Sequence, residues 1–157
     1  MKLSQETTEE TKNSILDKAF ARFGHFGFGK TTMAEISKDC DMSPGNLYRY
    51  FESKKDIGAG CARRCMQQKL ELVREIVRNP KLNPEKKLQA FALELLEYMH
   101  YQFSDQPAVM ELVDFVCHER WDIVTQYMEH ERSLLSEILS EGNRSGDFNI
   151  PDVLETA

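Results

Sequence analysis

The sequence predicts an all-α protein, and three observations carry that expectation. Apolar residues recur at three- and four-residue spacing along most of the 157 residues, the period of an amphipathic helix. No stretch alternates apolar and polar residues as a half-buried strand does. Within Thr31–Lys55, TTMAEISKDCDMSPGNLYRYFESKK, three helix starts are packed into one short span.

The first helix is expected over 8–24. Ile15, Leu16, Ala19, Phe20 and Phe23 share one face, and Gly24 can end it. Residues 24–31, GHFGFGKT, then match the phosphate-loop pattern G-x-x-x-x-G-K-[ST] letter for letter. A phosphate loop follows a buried strand, whereas ILDKAFARF before it has helical periodicity. No apolar run ending in Asp follows to hold magnesium. The expected role is a Gly-rich turn with Phe26 and Phe28 in the core, and nucleotide binding stays a minor alternative.

Thr32 with Glu35 makes a capping box ahead of a short stripe of Met33, Ile36 and Cys40. Ser43 caps a third helix with Pro44 at its first position, where a missing N–H costs nothing. Only Asp41 and Met42 separate the two helices, so they cross steeply as a helix-turn-helix. The second helix of that motif normally lies in the DNA major groove. Over Pro44–Phe51, Leu47 and Phe51 point inward with Tyr50 beside them, and Gly45, Asn46 and Arg49 point away. Asn suits adenine and Arg suits guanine along the major-groove edges. Gly45, without a side chain, lets the backbone approach the bases. Tyr48 on the flank can donate to a phosphate. Thr32 and Lys54 can do the same by hydroxyl, backbone N–H or charge, and Lys30 is expected near the DNA backbone. Ser53 and Asp56 form a second capping box, opening a fourth helix.

The run GFGKTTMAEISKDCDMSPGNLYRYFESKKDI resembles the N-terminal DNA-binding domain of TetR-type transcriptional regulators, most specifically in SPGNLYRYFESK. The resemblance implies that Thr32, Tyr48, Tyr50 and Lys54 contact phosphates, and that Pro44, Gly45, Asn46 and Arg49 face bases. Asp41 stands where the family usually has Gly; Asp tolerates the left-handed conformation less well. The family also implies a division into a DNA-binding domain, 1–53, and a helical ligand-binding and regulatory domain, 54–157. In that body a small molecule would move the fourth helix and shift two DNA heads apart. The segment GDFNIPDVLETA resembles the junction before the family's last two, dimer-forming helices. The chain is therefore expected to be C-terminally short: either truncated, or dimerising through another face. In either case an apolar patch on helices six and seven is expected.

In the body, the fourth helix is expected from Lys54 to about Arg78, stopped by Asn79-Pro80. Asn83 caps a fifth, from Pro84 to about Phe103. A short sixth follows Pro107, and a seventh runs from about Glu119 to Ser145 with Gly146 as its stop. Candidate pocket residues are Met66, Met99, His100, Phe103, Met110, Phe115, Trp121, Tyr127 and His130, since pockets are mostly apolar and aromatic with a few polar groups. Such stripes equally make plain core, and His130, between Tyr127 and Leu134, reads as a core or pocket histidine rather than a ligand. Cys61 and Cys65, one turn apart, with Cys117 and His118, would suit a soft metal or a thiol switch. Buried cysteines otherwise act as small hydrophobes.

The net charge of −6 sits unevenly. Residues 1–58 hold nine basic and nine acidic side chains; residues 59–157 hold eleven and seventeen. A neutral reading head with an acidic body is compatible with specific DNA binding but lowers the non-specific part. No apolar run reaches the roughly 18 residues that span a membrane. The polar start is no signal peptide, and four irregularly spaced cysteines suit a reducing cytoplasm. No catalytic constellation emerges. The expectation is a homodimeric, non-enzymatic transcriptional regulator without cofactor or metal. A small-molecule ligand would release it from a double-stranded DNA operator. A protein-interaction module, or a fragment without repressor activity, is the alternative.

Overall fold

The computed structural model describes the backbone of residues 2–104 and 107–157 and the side-chain surroundings of residues 7–97 and 108–157. Described residues form α1 (Lys2–Phe26), α2 (Met33–Asp39), α3 (Pro44–Leu47), α4 (Lys54–Arg78), α5 (Pro84–Ser104), a 3-10 turn (Pro107–Val109), α6 (Met110–Glu119), α7 (Trp121–Ser145) and α8 (Val153–Thr156). There is no strand among them, as the sequence predicts. They group into two compact units: residues 1–64 with 103–123, and residues 65–102 with 124–157. The division at 53/54 expected from the resemblance is one of role, whereas these units are of packing.

The first unit is built on α1, which places Ile15, Leu16, Ala19 and Phe23 in the core with Phe28, Ile36, Leu47, Ile57, Leu112, Phe115 and Val116. The helix is longer than the sequence predicts at both ends. Its Glu- and Lys-containing start holds no Gly or Pro to stop it, and Gly24 is carried inside. Gly27, at φ +90°, ends the helix instead, its N–H bonded to Phe23 O at 2.9 Å. Because the helix continues, Phe26 stays on its outer side at 52% exposure, under the Arg22 guanidinium, while Phe28 is buried. The expectation that both phenylalanines enter the core holds for Phe28 only.

Between α2 and α3 the backbone forms a Schellman stop. Met42 N–H reaches Ser37 O at 3.0 Å and Asp41 N–H reaches Lys38 O at 3.1 Å, with Asp41 left-handed at φ +53°. The Thr32–Glu35 capping box is closed in both directions, with Thr32 N–H donating to Glu35 Oε2 at 2.8 Å and Glu35 N–H to Thr32 Oγ1 at 3.3 Å. Arg22 of α1 holds α2 with a two-pronged grip on Asp39 and a contact with Glu35 at 3.5 Å. The Arg22 hydrogen bonds keep the Asp39 carboxyl below its ordinary range, and the bonds with Thr32 do the same for Glu35.

The second unit has its own core of Leu70, Val73, Val77, Phe91, Leu134 and Ile138. Two lysines are buried in it and each is paired. Lys87 Nζ lies 2.7 Å from Glu141 Oε2, and Lys69 Nζ 3.3 Å from Glu131 Oε1 and over the Tyr127 ring. Asn83 caps α5 through Lys86 N–H at 3.0 Å, as expected. After Gly146, at φ +84°, the chain turns back. Phe148 lies on Gly142, where an added Cβ would sit 2.0 Å from the ring, and Asn143 bonds both backbone groups of Ile150. The short α8, capped by Asp152, is an element the sequence reading does not give.

Two expectations follow. Asp41→Gly relieves the left-handed strain and raises stability by up to about 1 kcal/mol, a few degrees in Tm, read by thermal unfolding. A lower Tm would show that the Asp side chain contributes more than the strain costs. For pH, lowered folded-state carboxyl pKa values give stability that is present above the ordinary carboxylate range and lost as pH falls through the folded values. Tm therefore drops on acidification below about pH 4, and drops less steeply in Asp39→Asn. Parallel slopes for both proteins would count against the Arg22 grip as the cause.

Candidate nucleic-acid interface

The second helix of the motif is shorter than Pro44–Phe51. Ser43 accepts from Asn46 N–H at 3.2 Å, and α3 proper ends at Leu47. Residues 48–51 continue as tight turns, with Arg49 N–H on Asn46 O at 3.1 Å and Tyr50 N–H on Leu47 O at 3.0 Å. Leu47 is fully buried and anchors the element. Around it Pro44, Gly45, Tyr48 and Arg49 are exposed, and Asn46, Tyr50 and Phe51 are half-buried. Among the described residues, the side chains of Asn46, Tyr48, Arg49 and Tyr50 hold no hydrogen bond or ion pair. A Cβ built at Gly45 meets nothing within 4 Å.

Two of the expected phosphate contacts are already engaged. Thr32 Oγ1 donates to Glu35 Oε2 at 2.8 Å. Lys54 Nζ turns inward, bonding Phe28 O at 2.7 Å and Gly29 O at 3.1 Å, over the Phe28 ring. Burial pushes this ammonium's pKa down. What α4 presents outward is its N-terminal turn, capped by Ser53 through Asp56 N–H at 3.2 Å. Asp56 bonds the Ser53 hydroxyl, so the reciprocal half of that box runs through Oγ.

The GHFGFGKT turn is no phosphate cradle here. It follows a helix, its Gly29 N–H is bonded to the Glu111 carboxylate at 2.7 Å, and two of its carbonyls hold Lys54. Lys30 is exposed.

The candidate pocket residues fall in both units. In the first, Phe115 is buried in a stack on Phe28, and Met110 and Trp121 are more than half exposed. In the second, Met66 and Tyr127 are half-buried, with the Tyr127 hydroxyl donating to Glu131 Oε1 at 2.7 Å. His130 is exposed rather than core, because it lies on the solvent side of α7 beside Gln126 O. Met99, His100 and Phe103 lie outside the described side chains. Cys61 is buried, Cys65 is half-buried, and Cys117 and His118 are exposed; among the described residues no group of three His, Cys, Asp or Glu side chains is placed to hold a metal ion. The open groove lined by Val77, Arg78, Ser133, Ser136, Glu137, Ser140, Glu141 and Arg144, about 380 Å³, is polar. No described helix is long and apolar enough to cross a membrane. The Arg22–Asp39 grip and the Glu111–Gly29 bond were not legible beforehand: they join residues 17 and 82 positions apart with no local pattern.

Capped α2, a left-handed stop and a short, capped α3 anchored by Leu47 define a helix-turn-helix protein. Residues 15–59 match the profile of bacterial regulatory proteins of the tetR family, and residues 84–157 match a tetracyclin repressor-like C-terminal domain. The chain belongs to the tetR family of bacterial regulatory proteins. It is 28% identical over 141 residues to the HTH-type transcriptional regulator UidR of Escherichia coli, covering 90% of this chain and 56% of UidR. It is 24% identical over 148 residues to the HTH-type transcriptional repressor KstR2 of Mycobacterium tuberculosis, covering 90% and 70%. The chain thus spans little more than half of UidR. Among solved structures, the fold is shared with the fatty acid degradation regulator FadR from Bacillus halodurans, at TM-score 0.68, 20% identity and coverage of 87% and 70%. It is also shared with the KstR2 structure, at TM-score 0.62, 22% identity and coverage of 92% and 74%.

Gly45 generates an expectation of its own. Its surroundings leave room for a methyl group, so Gly45→Ala keeps or improves stability, by about 0.5–1 kcal/mol. If the open side is kept for the groove floor, the same variant binds duplex DNA several-fold more weakly. Thermal unfolding and fluorescence anisotropy together check this, and unchanged affinity would refute the close approach.

Proposed function

We propose that the protein is a DNA-binding transcriptional repressor, released from its operator by a small molecule. The observation that carries this reading is the set of uncommitted polar side chains, Asn46, Tyr48 and Arg49, beside the buried anchor Leu47. In the groove, Asn46 and Arg49 would read bases while Tyr48 and the first turn of α4 grip phosphates. Lys54 and Thr32 then act chiefly by holding the helix starts that carry backbone N–H groups toward the backbone of DNA. The relatives named a ketosteroid regulator and a fatty acid degradation regulator support an apolar ligand for this chain. We infer a homodimer reading a two-fold operator with half-sites about 34–36 Å apart, working in the cytoplasm.

Selection of bound sequences from random duplex DNA tests the reading; enrichment of a palindrome is expected, and no enrichment would overturn it. On the selected site, Tyr48→Phe weakens all sequences alike, whereas Asn46→Ala or Arg49→Ala relaxes base preference by about 1–3 kcal/mol. Equal loss on every sequence for all three would refute the division of roles.

A further inference from the structure

The Gly-rich turn at 27–30 is gripped from two sides. On one, the Gly29 N–H donates to Glu111 Oε2 at 2.7 Å. On the other, the carbonyls of Phe28 and Gly29 accept from Lys54 Nζ. Glu111 is in the first turn of α6, and Phe115 and Glu119 follow it at one-turn intervals on the same face. All three touch the segments that frame the helix-turn-helix: Phe115 stacks on Phe28 with ring centroids 4.7 Å apart, and Glu119 pairs with Lys55. The turn is shaped for the carboxylate. A Cβ at Gly27 would lie 2.8 Å from Glu111 Oε2, and one at Gly29 would lie 3.2 Å from it, so both glycines leave the space that Glu111 fills. Two residues beyond the turn, Thr32 caps the start of α2.

From this geometry we infer that Glu111 is a positioning residue for DNA binding, although it lies outside the helix-turn-helix: by fixing the Gly29 amide it sets the path of the 27–30 turn, and through that turn the placement of Lys54 and of the α2 start. The inference rests on the DNA-binding reading above. Glu111 itself touches no DNA in this scheme. Its carboxylate works chiefly as a hydrogen-bond acceptor for Gly29, while its charge also favours the nearby Lys54 ammonium. An amide oxygen can serve the same purpose, which separates positioning from electrostatic repulsion of phosphate.

The experiment compares wild type, Glu111→Ala and Glu111→Gln. Amide exchange at Gly29 and acylation of Lys54 by an amine-reactive reagent are read without DNA. Affinity and its salt dependence are read on the site selected with wild type. Glu111→Ala is expected to speed Gly29 exchange and Lys54 labelling and to weaken binding several-fold. Its salt slope stays that of wild type, because the contacts disturbed are backbone N–H groups and no cation leaves the interface. Glu111→Gln is expected to stay close to wild type in Gly29 exchange, affinity and salt slope. Its Lys54 labelling is faster than wild type but slower than in Glu111→Ala, because only the charge and not the hydrogen bond is lost. Tighter binding by both variants would overturn the inference in favour of charge repulsion. Unchanged Gly29 exchange and Lys54 labelling in Glu111→Ala would overturn it directly, whatever the DNA result. If wild type selects no DNA, the functional reading fails, while the exchange and labelling data still decide whether Glu111 fixes the turn.

Discussion

The first unit closes on the ring of Phe28. Phe23 meets it edge-on at 5.1 Å, Phe115 stacks against it, and the Lys54 ammonium sits 4.8 Å from its centroid. Gly58 lies beneath, where an added Cβ would come within 2.8 Å of the ring. One aromatic side chain thus joins α1, the 27–30 turn, α4 and α6. Aromatic contacts of these geometries contribute about 0.5–1.5 kcal/mol each beyond the area they bury. The helix-turn-helix has few buried side chains of its own, chiefly Ile36 and Leu47. Its posture therefore depends on this neighbouring cluster more than on its two short helices, which would be marginal alone.

Local chemistry was legible from the residues and distant pairing was not. Thr32, Ser43 and Asn83 cap where their side chains imply, Pro44 opens α3, and Asp41 takes the left-handed bend that the two-residue turn demands. Each of these depends on neighbours within four positions. The C-terminal limit of α1 does not follow from the residues, because Gly24 can equally end a helix or ride inside one, and only packing chooses. Spacing extends α3 to Phe51 because Leu47 and Phe51 are four apart; the 3-10 type bonds of Arg49 and Tyr50, followed by the Phe51 N–H on Leu47 O, hold nearly the same direction without a regular helix. In the candidate interface, the exposed position of Arg49 and the open side of Gly45 follow from periodicity. The inward turn of Lys54 does not, since its partners are carbonyls 25 and 26 residues away.

The second unit shows a different economy. Lys69 and Lys87 are buried at positions where periodicity alone would place apolar residues, and each needs a glutamate on α7 to be tolerated. Such pairs add little net stability against well-packed hydrophobes, but removing one partner leaves a costly bare charge. They fix which faces of α4 and α5 meet α7 more stringently than an all-apolar seam would.

The orientation of Lys54 also bears on kinetics. With its nine cations balanced by nine anions, and one cation held against its own carbonyls, residues 1–58 exert little pull on a polyanion at a distance. A regulator built this way would meet its target by plain diffusion rather than by field-guided capture. Its visits to unrelated sequence would be brief, so most discrimination would rest on how slowly the matched complex comes apart.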